Sequence, residues 1–483
     1  MLLNTRAAGI LLHPTSLPGP IDHGDFGPHA YYFIKFLDDC GVRVWQTLPL
    51  GPTHADLSPY NCKSAHAGNP LLISAELLRA EHWIEERHLT IPRREMLIAA
   101  RKGFERYANI EQRAQFTEFT AQAASWLEDY ALFQALRNSQ GGIPWYDWPD
   151  ELRDRNSSAL KKARHSLNTA LDQIRFEQFV FFRQWEQLRR YAHEHRVKIF
   201  GDMAIFVAHD SADVWAHREC FQLDNCGHPT VVAGVPPDYF SLIGQRWGNP
   251  LYDWRNHEDE VINLWIERMR TQARLFDLVR IDHFRGLESY WEIPATESEP
   301  RAGHWVPGQG DKLLTALRQF CGDLSLIAED LGFITEEVDQ LRRRHNLPGM
   351  HVLQFGFDGD PHNRHQIHAH HPENVVYTGT HDNDTTLGWF NSLTPAIQDQ
   401  VLSYFGYPAE PMPWPLIRYT MASVAQLAIV PMQDILGLDS AHRMNTPGVA
   451  EGNWRWRFSW EQVPEHIANR LAHFTWRYGR DNR

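Results

Sequence analysis

Eight short apolar runs punctuate this chain, and several of them close abruptly on acid. They fall at residues 8–12, 42–48, 197–202, 276–282, 324–330, 350–355, 374–382 and 427–434. The clearest is Phe276-Asp-Leu-Val-Arg-Ile-Asp-His-Phe-Arg-Gly286, where Leu278, Val279 and Ile281 run into Arg280, Asp282, His283 and Arg285. Such a run is too short for a helix of its own, and its β-branched content suits a strand covered on both faces. Helical text separates most of the runs, as at 313–320 and 334–345. Strands alternating with helices predict an α/β fold with a parallel sheet, and eight of them predict a (β/α)8 TIM barrel. In that architecture the C-terminal strand ends carry the chemistry.

The connections are unequal. A helix with apolar residues at Tyr31, Phe33, Ile34, Phe36 and Leu37 follows the first strand, and Gly41 is its expected stop. After the second strand, residues 51–71 are dense in turn formers, and helical, charge-rich text then runs to about residue 170. We read 51–170 as an inserted, mainly helical subdomain, with a strong helix at 174–196 returning the chain to the sheet. A second insertion, 203–272, carries the Gly- and Pro-rich stretch 234–250, which reads as an active-site loop. The whole of 1–483 is thus one catalytic barrel with helical and loop insertions on its C-terminal face.

Charge narrows the partners. A net charge of −13 disfavours nucleic acid or an anionic membrane, which require clustered Lys and Arg. No apolar stretch is long enough to span a bilayer, and the apolar run 7–12 is cut short by His13 and Pro14, unlike a signal peptide. Five widely spread cysteines without metal-type pairing suit a reduced, cytoplasmic protein. The 18 Trp and 15 Tyr could stack on sugar rings, although most are expected in the core.

Collected at one rim, the strands deliver Asp202, Arg280, Asp282, Glu329, Asp330, His381, Asp382 and Asp384. Converging acids either hold a metal or split a glycosidic bond. The best metal candidate is the run His362, His365, His368, His370 and His371, which precedes a strand instead of capping one; His283 and His381 are alternatives. Glycosidic chemistry needs one ionised and one protonated carboxyl. Asp282 beside the Arg280 cation suits the first role, with its pKa lowered. Glu329 among acids such as Asp330 and Asp382 suits the second, with its pKa raised.

Ordered motifs sharpen this. His13-Pro-Thr-Ser-Leu-Pro18, Ser58-Pro-Tyr60, Gly201-Asp202, Gly234-Val-Pro-Pro-Asp-Tyr-Phe240, Gly244-Gln-Arg-Trp-Gly-Asn-Pro250, Arg280-Ile-Asp-His-Phe-Arg-Gly286, Ala328-Glu-Asp-Leu-Gly332, Thr378-Gly-Thr-His-Asp-Asn-Asp-Thr385 and Arg443-Met-Asn-Thr-Pro-Gly448 resemble, nearly end to end, those of the 4-α-glucanotransferases. These enzymes, also called amylomaltases or disproportionating enzymes, form glycoside hydrolase family 77 of the α-amylase superfamily. The resemblance implies a barrel without that superfamily's C-terminal β-sandwich domain, no cofactor and no metal. It implies Asp282 as nucleophile, Glu329 as acid/base and Asp382 as transition-state stabiliser. Tyr60, Asp202, Arg280, His381 and Asn445 would line the donor site, Gln245 and Trp247 a flexible loop over the acceptor side, and Asp358 would be a weaker substrate-binding match. Expected substrates are maltooligosaccharides, amylose and starch- or glycogen-derived glucans, handled by a monomer or weak homodimer. An α-1,4-glucan hydrolase on the same barrel is the alternative. Ala204, Leu242-Ile243 and His66 depart from the family pattern and bear on loop shape and chain-length preference.

Overall fold

A computed structural model describes residues 5–19, 23–237, 243–322 and 324–481. Among them are twelve strands: β1 (Ala7–Leu11), β2 (Val44–Gln46), β3 (Lys198–Met203), β4 (Val231–Val235), β5 (Gln245–Pro250), β6 (Leu278–Ile281), β7 (Ser289–Pro294), β8 (His304–Pro307), β9 (Ser325–Ala328), β10 (Met350–Val352), β11 (Val375–Tyr377) and β12 (Leu427–Pro431). Eight of these pair in parallel, in the order β10-β11-β12-β1-β2-β3-β6-β9. This is the (β/α)8 barrel that the eight apolar runs predict. Most of its strands are buried at every position, as a parallel sheet with both faces covered requires.

Between β9 and β10 the wall is crossed by individual bonds. The Ala328 N–H donates to the Pro348 carbonyl at 2.9 Å, and the Met350 N–H donates to Asp330 Oδ1 at 2.7 Å. Asp330 is therefore a seam residue. Its other oxygen accepts from Arg364 at 2.7 Å, and its side chain is almost wholly buried.

The first helix, Pro28–Asp39, ends where expected, with Gly41 at a φ of +70° that a Cβ would strain. The helix Asn168–Glu194 is longer than its apolar spacing indicated, and it performs a second task. Buried Gln178 clamps the backbone of Gly68, accepting from its N–H at 2.8 Å and donating to its carbonyl at 2.9 Å. Gln184 does the same to Ser74, at 2.7 and 3.1 Å. The turn-rich stretch after β2 is thus pinned by two buried amides, each bonded through both its oxygen and its nitrogen. The tryptophans are mainly structural, since Trp45, Trp83, Trp145, Trp185, Trp215 and Trp265 are among the largest fully buried side chains.

One feature was not anticipated. The stretch read as a loop at 234–250 holds the end of β4 and all of β5, which pair antiparallel, and β4 continues through β7 to β8 in a separate four-stranded sheet. Residues 238–242, including the Asp-Tyr-Phe end of the 234–240 motif and the departure at Leu242, lie outside the described residues.

Close packing sets the register at the key strand pair. A Cβ on Gly201 would sit 2.1 Å from the Phe276 ring, immediately before Asp202 in β3. Gly201→Ala should therefore lower stability by about 1–3 kcal/mol through overpacking. Urea denaturation checks this, and an unchanged midpoint would contradict the assigned contact.

Candidate active site

The site begins with register. In the β3–β6 pair, Asp202 lies opposite Arg280, and side chains at matched positions of neighbouring parallel strands share a face. Arg280 is consequently buried against Asp202, with Nε at 2.9 Å and Nη2 at 2.7 Å from Asp202 Oδ2. The same Nη2 reaches Asp282 Oδ1 at 2.7 Å and the Tyr60 hydroxyl at 3.2 Å. Tyr60 in turn donates to Asp202 at 2.6 Å. One guanidinium thus organises two carboxylates and a phenol, a use that its fixed fork of donors allows.

Two acids are set by the ladder itself. The bonding continues one residue beyond the strand ends, so that the Asp282 N–H donates to the Met203 carbonyl at 3.0 Å and the Glu329 N–H to Ile281 at 3.1 Å. The Glu329 carboxyl is further fixed by N–H donors from His283 at 2.7 Å and Leu331 at 2.8 Å. Asp382 arrives differently, several residues beyond β11. It accepts from Asn445 Nδ2 at 2.6 Å, and His381 Nε2 lies 3.3 Å from its other oxygen.

These three carboxyls line one cleft of about 990 Å3 together with Tyr60, Gln245, Trp247, Arg280 and Asn445. Asp202 lies directly behind the wall, with none of its side chain exposed, and acts through Arg280 and Tyr60. His381 is also nearly buried and stacks on the Tyr60 ring at 5.2 Å. Asp358 is not brought to the cleft. It sits on an exposed turn and caps it, accepting from the Asp360 N–H at 3.0 Å and Asn363 at 2.9 Å.

Electrostatics separate the three acids. Burial pushes Glu329 up to about 8, and the neighbouring Asp282 charge adds to this against Arg280 and the two N–H donors. The acids expected to raise Glu329 were Asp330 and Asp382, but Asp330 is engaged at the seam. Burial also raises Asp282, to about 6, against the pull of Arg280, so its pKa is not lowered as the Arg280 neighbour alone suggested. At Asp382 burial opposes the charge, yet His381, Asn445 and Arg280 outweigh it and hold the group at about 2. Near neutrality the site holds Asp382 and Asp282 ionised and Glu329 protonated.

The histidine run before β11 mixes buried and exposed side chains, His370 buried and His362, His368 and His371 exposed. His370 stacks on His351 at 4.7 Å and meets Ser423 Oγ at 2.8 Å, while His368 Nε2 contacts the Pro361 carbonyl at 3.0 Å. Among the described residues no group of three or more His, Cys, Asp or Glu is arranged to hold a metal ion. Of the departures from the family pattern, Ala204 lines the cleft, whereas His66 is buried outside it against Thr271 Oγ1 at 2.8 Å.

The 4-alpha-glucanotransferase family profile matches residues 12–462. The chain belongs to the 4-alpha-glucanotransferase family. Among relatives, the 4-alpha-glucanotransferase of Thermus thermophilus is 48% identical over 97% of this chain and 98% of its own. That of Synechocystis sp. is 45% identical over 99% of both. Among solved structures, amylomaltase from Streptococcus agalactiae in complex with acarbose superposes with a TM-score of 0.95, at 35% identity over 98% of this chain and 99% of its own.

Sequence reasoning missed several lining residues of this 4-alpha-glucanotransferase-family cleft. Trp454 contributes an indole 6.0 Å from both Tyr60 and His381, and Trp305 and Phe333 also line the cleft. The available signals were Gly452-Asn-Trp454, which lies shortly beyond the Arg443 motif, and an aromatic directly after Ala328-Glu-Asp-Leu-Gly332.

The assignment of charges is testable by substitution. Because the Asp282 charge helps hold Glu329 protonated, Asp282→Asn should lower the Glu329 midpoint below its present value of about 8. Carboxyl-13C NMR titration reads this directly. A midpoint that rises or stays in place would overturn it.

Proposed function

We propose that this chain transfers segments of α-1,4-glucan to the 4-hydroxyl of an acceptor glucan or glucose by a retaining double displacement. The observation that carries the reading is the pair of partly buried carboxyls at adjacent strand ends, Asp282 bonded to Arg280 and Glu329, its pKa raised, held by two backbone N–H donors.

In the first step Asp282 attacks C1 of a glucosyl unit while Glu329 protonates the departing oxygen. The C1–O bond to the leaving sugar breaks, a C1–O bond to Asp282 forms, and Glu329 is left ionised. In the second step Glu329 removes the proton of an incoming 4-hydroxyl as that oxygen displaces Asp282 from C1. Asp382, the most acidic of the three, stays ionised throughout and stabilises the oxocarbenium-like transition states. Arg280, itself held by Asp202 and Tyr60, sets the orientation of Asp282, and Asn445 and His381 that of Asp382. Gln245 and Trp247 act on the acceptor side, joined by a hydrogen bond at 3.1 Å from the indole N–H to the amide oxygen. Family membership favours transfer over the α-glucan hydrolase alternative.

Maltooligosaccharides, amylose and starch- or glycogen-derived chains are the substrates proposed. No helix among the described residues is long and apolar enough to cross a membrane, and Cys62, Cys220, Cys226 and Cys321 are free thiols. A cytoplasmic site of action fits those thiols.

Incubation with maltotriose tests the reaction. Transfer gives glucose plus a ladder of longer chains, whereas hydrolysis gives only shorter sugars and matching new reducing ends. Asp282→Ala should reduce turnover by about 10⁴-fold or more while binding of maltooligosaccharide persists. Substantial residual activity would reject Asp282 as nucleophile.

The pH dependence has a definite sign. Below about 6, Asp282 gains a proton and ceases to be a nucleophile; above about 8, Glu329 loses the proton that the leaving group needs. The profile of kcat/KM should therefore be bell-shaped with limbs near those values. A profile that climbs steadily across that interval would contradict the roles.

A further inference from the structure

Phe333 has no part in the mechanism above, and it is an unusual residue where it stands. It is 65% exposed, yet it lines the catalytic cleft with Leu331 and Gly332 instead of standing on an outer surface. A lone exposed apolar side chain is ordinary, but one presented into a polar cleft suits a ligand with a flat apolar face.

Its place relative to the chemistry follows from the chain. Glu329 is held by two backbone N–H groups, and each leads to an exposed aromatic. The His283 N–H bonds Glu329 Oε2 at 2.7 Å, and the His283 ring meets Trp247 edge-on at 4.8 Å. Trp247 is 37% exposed in the same cleft. The Leu331 N–H bonds Glu329 Oε1 at 2.8 Å, and Gly332, with a φ of +78°, turns the chain into Phe333. Both aromatics thus line the cleft on segments tied directly to the acid/base. A group that protonates a leaving oxygen and later deprotonates an acceptor hydroxyl faces the sugar on the acceptor side of the scissile bond, so its flanks border that sugar.

Phe333 is also braced. Its carbonyl accepts from Arg285 Nη1. That guanidinium lies 3.6 Å from the centroid of Trp305, another lining residue, and Nη2 bonds Ser289 Oγ at 3.0 Å. Arg285 itself is buried, so the backbone that presents Phe333 is fixed from behind.

We propose that Phe333 is a specificity-determining platform for the acceptor sugar. Resting on the double displacement argued above, its ring packs against the C–H face of the incoming glucosyl unit, opposite or beside Trp247. The glycosyl-enzyme is then resolved by a sugar hydroxyl: the C1–O bond to Asp282 breaks, the bond from C1 to the acceptor O4 forms, and the O4 proton passes to Glu329. Where the platform is removed, water takes the same place, its proton goes to the same carboxylate, and a free reducing end results. Phe333 thus weights transfer against hydrolysis without touching the reacting atoms.

The test is a partition ratio, which does not depend on how much of a preparation is folded. Wild-type, Phe333→Ala and Phe333→Tyr proteins are given α-maltotriosyl fluoride as donor and maltose, below saturation, as acceptor. The products of transfer and of hydrolysis are counted from the same intermediate. Phe333→Ala should shift the ratio toward hydrolysis by about fivefold to tenfold, the worth of one aromatic contact, with a matching rise in KM for maltose. Phe333→Tyr, which keeps the ring, should hold the wild-type ratio. An unchanged ratio in Phe333→Ala, or a Phe333→Tyr variant as impaired as Phe333→Ala, would overturn the proposal. Failure of the double displacement itself would appear separately, as wild-type products of inverted, β, configuration from the α-fluoride.

Discussion

The buried guanidinium of Arg280 is the interaction on which the site depends. Three acids facing one cleft would repel one another and resist burial, and an unpaired buried charge of either sign is strongly destabilising. Arg280, only 4% exposed, answers this unequally. Asp202 receives two of its contacts and seats the cation. Asp282 receives one, enough to hold it near 6 against burial and the Asp202 and Asp382 charges. Glu329 receives no hydrogen bond from Arg280, and burial beside the Asp282 charge carries it to about 8. A single fixed cation, shared unevenly, therefore puts two similar side chains into opposite protonation states at the same pH.

The barrel supplies the precision that such a division needs. Asp282 and Glu329 are the first residues past β6 and β9, and their N–H groups still belong to the ladder, so neither backbone can drift. The wall behind them is completed across the β9–β10 seam by Asp330, an acid whose charge is engaged in closing the barrel. Tyr60 comes from a long loop after β2, and that loop is held by the Gln178 and Gln184 amides of one helix. Asp382 relies on a different device, Asn445 from the loop after β12. Residues far apart in sequence thus meet because each is tied to a separate stave or clamp.

Much of this was legible in the residues. Every barrel strand announced itself as an apolar run, since strands covered on both faces must be apolar along their length. The three carboxyls were legible because they follow such runs. Less legible was which acid does what: Glu329-Asp330 reads as two neighbouring acids, but successive side chains at a strand end diverge, one into the cleft and one into the seam. The pKa direction of Asp282 was misread because adjacency to Arg280 is visible in sequence and burial is not. The antiparallel sheet of β4, β5, β7 and β8 was missed for a related reason. Gly234, Pro236, Pro237, Gly244 and Gly248 mark turns locally, while the pairing that makes strands of their neighbours is long-range. Asp358, the weaker substrate-binding match, has its carboxyl capping its own exposed turn.

The central claim is that this pocket keeps Asp282 ionised and Glu329 protonated at the same time. Neutron diffraction from crystals held at about pH 7, between the two midpoints, locates those protons directly. The account predicts a deuteron on the Glu329 carboxyl and none on Asp282. A deuteron on Asp282, or a bare Glu329, would contradict it.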